Sequence, residues 1–189
     1  MRIVDLKPAD HRLIAQVAAI LIDGFAHVEP HPWGDLSQAV EEVRKSFAEG
    51  RISRVAIGDD GAASGWIGGI KQYSGHAWEL HPLVVRPDRQ RLGIGAALVR
   101  DFEQQVIARG GATVYLGTDD DFGATSLSGI DLYPDVASHI RNVRNLRRHP
   151  FEFYQKLGYT IVGVIPDANG FGKPDIFMAR RVAPKLSSR

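Results

Sequence analysis

The sequence predicts an α/β protein, a mixed β-sheet with helices on its faces. Helical and strand periodicities alternate along the chain in the order ααββ-βαβ-αββ, with no internal repeat and no low-complexity segment. The composition is 44% hydrophobic and 24% charged over 189 residues, enough chain for one domain with a sizeable core. One domain is expected over residues 1–181, followed by a C-terminal tail over 182–189.

The first helix is expected over Ala9 to Phe25, where Leu13, Val17, Ile20 and Leu21 share a face and Gly24 ends the pattern. "HVEPHPWG", with two prolines and a glycine, reads as a loop. From Asp35 a second helix follows, with Val40, Val43 and Phe47 on one side and Gly50 closing it. "SRVAIGD" and "GWIGGIK" read as strands joined by the turn-rich "DDGAAS". "HAWELHPLVVRP" is a third strand, stopped by Pro87. Ile94, Leu98, Phe102 and Val106 repeat every four residues and define a helix ended by Gly110 and Gly111. "ATVYLGT" is a strand, "HPFEFYQKLGY" a short helix ending at Gly158, and "TIVGVI" and "DIFMAR" the last two strands.

Composition also excludes. With no cysteine, disulfides, thiolate metal sites and cysteine nucleophiles are ruled out. A formal net charge of +1 provides no global field for nucleic acid or membrane, and neither partner is expected. No apolar run approaches the roughly 18 residues needed to span a bilayer, and "MRIVDLKPADHR" lacks the apolar stretch of a secretory signal. A cytoplasmic location is expected, and no metal.

"RQRLGIGAAL" carries the first chemical signal. Glycine costs roughly 1 kcal/mol against alanine inside a helix, yet Gly93 and Gly95 sit where one begins. A strand, a basic glycine-rich turn and a helix form a backbone cradle for an anion, because the first N–H groups of the helix point outward along its dipole. Glycines let phosphates approach the main chain, and Arg89, Gln90 and Arg91 add charge-assisted donors. The plainer reading is a sharp turn with solvated arginines. A Walker loop would need Gly-Lys-Ser/Thr, where the chain has Gly-Ala-Ala; a dinucleotide fingerprint would need a third glycine at 98, which is leucine. What fits is Gln/Arg-x-x-Gly-x-Gly/Ala, on Gln90, Gly93 and Gly95. This resembles the pyrophosphate loop of the GNAT N-acetyltransferases. The resemblance implies a central, mostly antiparallel sheet with a splayed strand pair, helices on both faces, and acetyl-CoA as co-substrate.

In the preceding strand, "WELHPLVV", simple alternation puts Trp78, Leu80, Pro82 and Val84 on one face and Glu79, His81, Leu83 and Val85 on the other. Glu79 and His81 would then share a face, roughly 7 Å apart. A carboxylate and an imidazole in mid-sheet cost several kcal/mol unless paired or wetted, so a water-filled site is one reading and a polar edge strand the other. Acetyl transfer to an amine needs a base, donors for a carbonyl oxygen that gains charge, and an acid for the departing thiolate. Glu79 can be the base, directly or through water. Pro82 lacks a backbone N–H and should interrupt the ladder just before Leu83, leaving the N–H of Leu83 or its neighbours available to the thioester. "EFYQKLGY" resembles the late GNAT segment whose tyrosine reaches the CoA sulfur, which places the acid on Tyr154 and leaves Tyr159 to the core.

"WELHPLVV", "ARGGATVYLGTDD", "HPFEFYQKLGY" and "GVIPDANGFGKPDIFMAR" together look like the aminoglycoside 6'-N-acetyltransferases, particularly the chromosomally encoded dimeric bacterial branch, over roughly residues 76 to 181. The resemblance implies Glu79 as base, His81 as its support, Leu83 as main-chain acetyl polariser and Tyr154 as acid. It places acetyl-CoA on Leu83, Val84, Val85, Gln90, Arg91, Leu92, Gly93, Ile94, Gly95, Ala96 and Tyr154. It also implies a homodimer and an aminoglycoside substrate. Such a polycation should meet carboxylates and aromatics, and Glu79, Asp119, Asp120, Asp121, Trp33 and Tyr73 are the candidates. A solvated turn is the plain alternative for "TDDD". Arg141, Arg144, Arg147 and Arg148 read as a solvated helix face or a dimer rim. The rival functions are acetylation of a protein or peptide amine or a polyamine, and a non-catalytic acyl-CoA sensor.

Overall fold

A computed structural model describes residues 1–26, 33 and 35–183. The loop expected around residues 27–34 therefore lies, but for Trp33, outside the described residues, as do residues 184–189 of the expected tail. The chain forms two compact units, Met1–Val114 with Val182 and Ala183, and Tyr115–Arg181.

The first unit is built on four antiparallel strands in the order β1 (Arg2–Asp5), β2 (Arg51–Ile57), β3 (Ala63–Gln72), β4 (Ala77–Val85). Helices α1 (His11–Gly24) and α2 (Leu36–Lys45) cover one face. There Val17, Ala18 and Leu21 of α1 and Ala39 and Val43 of α2 pack with Val55, Trp66 and Val84 of the strands. Asp35 caps α2 by accepting from the Gln38 N–H at 3.0 Å, so this helix begins where the sequence signals it. Helix α3 (Ile94–Ala108) covers the opposite face. Its Leu98 and Phe102 are fully buried against the bare backbone of Gly65 and Gly69, and a methyl group at Gly69 would strike the Phe102 ring. Burying each such side chain stabilises the unit by roughly 1.5–3 kcal/mol.

The expected α/β class, with strands paired antiparallel and helices on both faces, is what the first unit shows. β1 was not expected, because four residues are too few to display a period. It is held from the side by Arg54 of β2, whose guanidinium donates to Asp101 of α3 at 2.7 and 3.0 Å and to Asp5 of β1 at 2.6 Å. Arg54 is buried while Asp5 is mostly exposed, so the Asp101 pair carries most of the effect. Replacing Arg54 by alanine is expected to cost about 3 kcal/mol, the low end for breaking a buried pair, read from urea unfolding. A cost below about 0.5 kcal/mol would place Arg54 among ordinary surface pairs.

The second unit takes up β5 (Thr113–Asp119) from its third residue and contains β6 (Thr160–Ile165) and β7 (Asp175–Arg181), an antiparallel pair. β7 lies between β5 and β6. Two short helices accompany them, α4 (Val136–Arg141) and α5 (Phe151–Lys156). α4 was not expected. Its start is fixed by Asp135, which accepts from the Ser138 N–H at 3.0 Å, and its end by Asn142, whose side chain donates to the Ser138 carbonyl at 2.9 Å. The helix therefore stops at Arg141, which corrects the reading of "RNVRNLRR" as a helix face. Arg144, Arg147 and Arg148 follow on irregular chain tied to residues 124–126 by bonds between the two segments, and their side chains are exposed. Among the described residues no helix is long and apolar enough to cross a membrane.

Candidate active site

β4 departs from regular pairing where Pro82 stands. Leu80 faces Gly69 and Leu83 faces Ile67, so β4 advances three residues while β3 advances two. His81 and Pro82 together sit opposite Gly68, a bulge in which the His81 carbonyl comes so close that a Cβ at Gly68 would collide with it. The interruption expected before Leu83 is present. The strict alternation expected from Trp78 to Val85 is not, because one extra residue exchanges the faces. Before the bulge, Trp78 lies against α3 and the following Gly111 turn, while Glu79 pairs with Ile70 on the other face. After it, Val85 lies beside Leu98 on the α3 face, and Val84 turns to α1. Glu79 and the Leu83 side chain therefore occupy opposite faces, and what Leu83 can offer is its backbone.

The ladder fixes where that backbone points. The Arg86 N–H donates to the Ser64 carbonyl at 3.0 Å, which makes Ser64–Arg86 a hydrogen-bonded pair, and Trp66–Val84 the next. Leu83 and Val85 are then in non-bonded pairs with β3, and their N–H and C=O groups project away from it. The Val85 carbonyl accepts from the Gln90 side chain at 3.3 Å, outside the ladder as this register requires. Glu79 is half-buried at the start of the same strand and accepts from the Gln72 amide at 3.3 Å, a diagonal contact along one face. His81 is exposed.

Beyond β4 the chain makes a short 3-10 turn, Pro87–Arg89, and reaches Gly93, which caps α3 in the left-handed region at φ 83°. No side chain caps the helix, and its first internal bond is Ala97 N–H to the Gly93 carbonyl at 3.0 Å. The N–H groups of Ile94, Gly95 and Ala96 thus have no acceptor within the helix. Nothing lies within 4 Å of where a Cβ on Gly93 would be, and Gln90, Arg91 and Leu92 are exposed. An open turn of donors and positive charge beside outward-facing strand amides fits a diphosphate carrying an extended amide chain, as in coenzyme A.

Two expected aromatics also lie in this unit. Tyr73 is 76% exposed, on a turn where its φ is 47°. Trp33 is partly buried and meets the Phe25 ring edge-on at 5.0 Å.

The second unit holds the acidic turn. Asp119 ends β5, exposed, and accepts from the Asn169 side chain at 2.5 Å. Asp120 is 1% exposed and turned inward: its oxygens accept from the Ala124 N–H at 2.6 Å, the Thr125 N–H at 2.8 Å and the Thr125 hydroxyl at 2.7 Å. Its charge is spent on its own loop. Partial burial and then the neighbouring Asp119 push the Asp121 carboxyl above the usual range. A cation arriving here would relieve that crowding. Tyr154 lies on α5 with 8% of its surface exposed, meeting Phe153 edge-on at 4.9 Å and Tyr159 at 5.7 Å. Burial pushes its phenol well above the ordinary tyrosine range, so it stays protonated and able to donate. Asn169 carried no local signal as the partner of an aspartate 50 positions away, and neither did Gly68 as the floor of the bulge.

A bulged strand with outward-facing amides, then a basic turn and a helix that no side chain caps, is a frame on which an acyltransferase can be built. The chain belongs to the acetyltransferase (GNAT) family, whose model matches residues 15–133. Among solved structures it is similar to an aminoglycoside 6'-N-acetyltransferase complexed with coenzyme A, at 42% identity and a TM-score of 0.91, over 99% of this chain and 100% of that one. It is also similar to the aminoglycoside 6'-N-acetyltransferase from Enterococcus faecium, with 42% identity, a TM-score of 0.90 and the same coverage. An aminoglycoside 6'-acetyltransferase of type Ii follows at 38% identity and a TM-score of 0.76, over 98% and 99% of the two chains. No curated protein sequence matches the chain.

Proposed function

We propose that this acetyltransferase moves the acetyl group of acetyl-CoA directly to the 6'-amine of aminoglycosides. The observation that carries this reading is the likeness, over essentially the whole chain, to aminoglycoside 6'-N-acetyltransferases at 42% identity. Acetyl-CoA supplies an acetyl group activated as a thioester. Leu83 and Val85 offer their outward backbone groups to its amide chain, and Gln90, Arg91 and the amides of Gly93 to Ala96 hold its diphosphate. Glu79 takes the proton from the substrate ammonium and so frees the nitrogen lone pair. The Leu83 N–H donates to the carbonyl oxygen as charge develops there. As the nitrogen bonds the acetyl carbon and the C–S bond breaks, the second proton that the nitrogen sheds reaches the departing sulfur through Tyr154, which gives up its phenol proton and regains one. His81, exposed beside the bulge, supports the base through solvent.

Asp119 and Asp121 face the substrate's ammonium groups while Asp120 holds their turn, and Tyr73 and Trp33 are the aromatics offered to the sugar rings. Removing one positive charge and one donor weakens such a drug's hold on RNA phosphates, so the activity would confer resistance. A cytoplasmic location accords with the co-substrate. Tyr133, Leu146, Val162 and Phe171, all well exposed in the second unit, support a homodimer.

The test follows thiol release from acetyl-CoA with aminoglycosides bearing a 6'-amine or a 6'-hydroxyl, alongside a lysine peptide and a polyamine. Turnover with the 6'-amine compounds alone is expected. Equal turnover of the amine and hydroxyl compounds would move the acetylated position, and preference for the peptide or polyamine would replace the substrate class. Tight coenzyme A binding without turnover of any amine would favour a sensor.

A further inference from the structure

Three connections of the second unit meet at one histidine. His149 is 4% exposed, between the irregular arginine-rich segment and α5. The Phe151 N–H donates to its Nδ1 at 3.2 Å. Nδ1 is therefore the unprotonated nitrogen, and the proton on Nε2 is directed at the Asp119 backbone carbonyl, 3.1 Å away. Asn145 clamps the main chain of the same residue, accepting from the His149 N–H at 2.8 Å and donating to the His149 carbonyl at 2.9 Å. Phe151 opens the helix that bears Tyr154, and Asp119 opens the acidic turn.

We infer that His149 is a positioning residue that locks the Asp119–Asp121 carboxylates to the helix carrying Tyr154. What those carboxylates bind rests on the function proposed above; the lock does not. The neighbouring charges are Asp119 and Asp120, which favour a protonated ring, and burial outweighs them, leaving the imidazole below its ordinary pKa of 6.5. The neutral ring is the form the geometry needs, because a proton on Nδ1 would face the Phe151 N–H, donor against donor. Asparagine and glutamine divide the two bonds between them. In His149→Asn the side-chain oxygen can take the place of Nδ1 and keep Phe151, but the amide nitrogen falls short of Asp119. In His149→Gln the longer side chain brings its amide nitrogen near the Nε2 position and keeps the bond to Asp119.

The test uses the full-length enzyme with His149→Asn and His149→Gln. Amide hydrogen exchange is read at Ala124 and Thr125, whose N–H groups Asp120 holds, and steady-state kinetics with a 6'-amino aminoglycoside. His149→Asn is expected to speed exchange at both amides and raise the aminoglycoside KM about tenfold, with the acetyl-CoA KM unchanged, and His149→Gln to restore both. Equal behaviour of the two variants, or unaltered exchange in His149→Asn, would overturn the lock. A parallel rise in both KM values with a general loss of protection would reduce His149 to a structural residue and equally overturn it. If wild type acetylates no aminoglycoside while the exchange pattern appears as described, the substrate reading fails and the lock stands.

Discussion

Replacing Glu79 by glutamine is expected to lower kcat by about 10²–10⁴-fold, the range for loss of a general base. The substitution keeps shape and the bond to Gln72, since the remaining side-chain oxygen of the introduced amide can still accept from that donor. It removes the negative charge, and with it the ability to take a proton. The acetyl-CoA KM should hardly change, because the cradle is built from the α3 start and the β4 backbone, and neither depends on the Glu79 charge. Thiol release with a 6'-amino aminoglycoside, together with calorimetry of coenzyme A binding, reads both. A loss of coenzyme A affinity that matches the loss of rate would make Glu79 a structural residue, and an unchanged kcat would assign the base elsewhere.

What the sequence could disclose here follows the range of each interaction. The basic glycine turn before α3 was legible because it is local: Gln90, Gly93 and Gly95 lie within one short stretch, and the left-handed cap falls on Gly93. The long helices and strands were legible for the same reason, since Leu98 and Phe102 repeat within a single helix. The bulge was half legible. Pro82 announces a broken ladder, but which residues change face depends on the register against Gly68 and Gly69, which lie on the neighbouring strand. Alternation was therefore carried through the break and put Leu83 on the face of Glu79, where the pairing separates them. The acidic turn failed differently. Three successive aspartates look equivalent in sequence, yet Asp120 is consumed by the backbone of its own loop, and only folding distinguishes it from its neighbours. His149 and Asn169 work by contacts across the fold, and nothing adjacent to them in the chain indicates it.

Tyr154→Phe carries the second large effect, an expected fall in kcat of about 10²-fold from removing one oxygen that donates to the leaving sulfur. The ring contacts with Phe153 and Tyr159 survive the change, so folding stability near neutral pH should move by less than about 1 kcal/mol. The fall in rate separates a working acid from a buried aromatic, and burial sets the pH dependence. Burial raises the Tyr154 pKa above its ordinary value of 10.0, so in the folded enzyme the phenol keeps its proton through the alkaline range. Wild type and variant should accordingly show rate profiles of the same shape up to about pH 10, displaced by a constant factor. Stability behaves differently above that point. The unfolded chain ionises this phenol near its ordinary value while the folded one does not, so the wild type's stability falls as pH rises from there through the raised pKa, and Tyr154→Phe removes that share of the fall. A variant with wild-type kcat and a lowered Tm would leave Tyr154 as packing alone and require another donor for the thiolate.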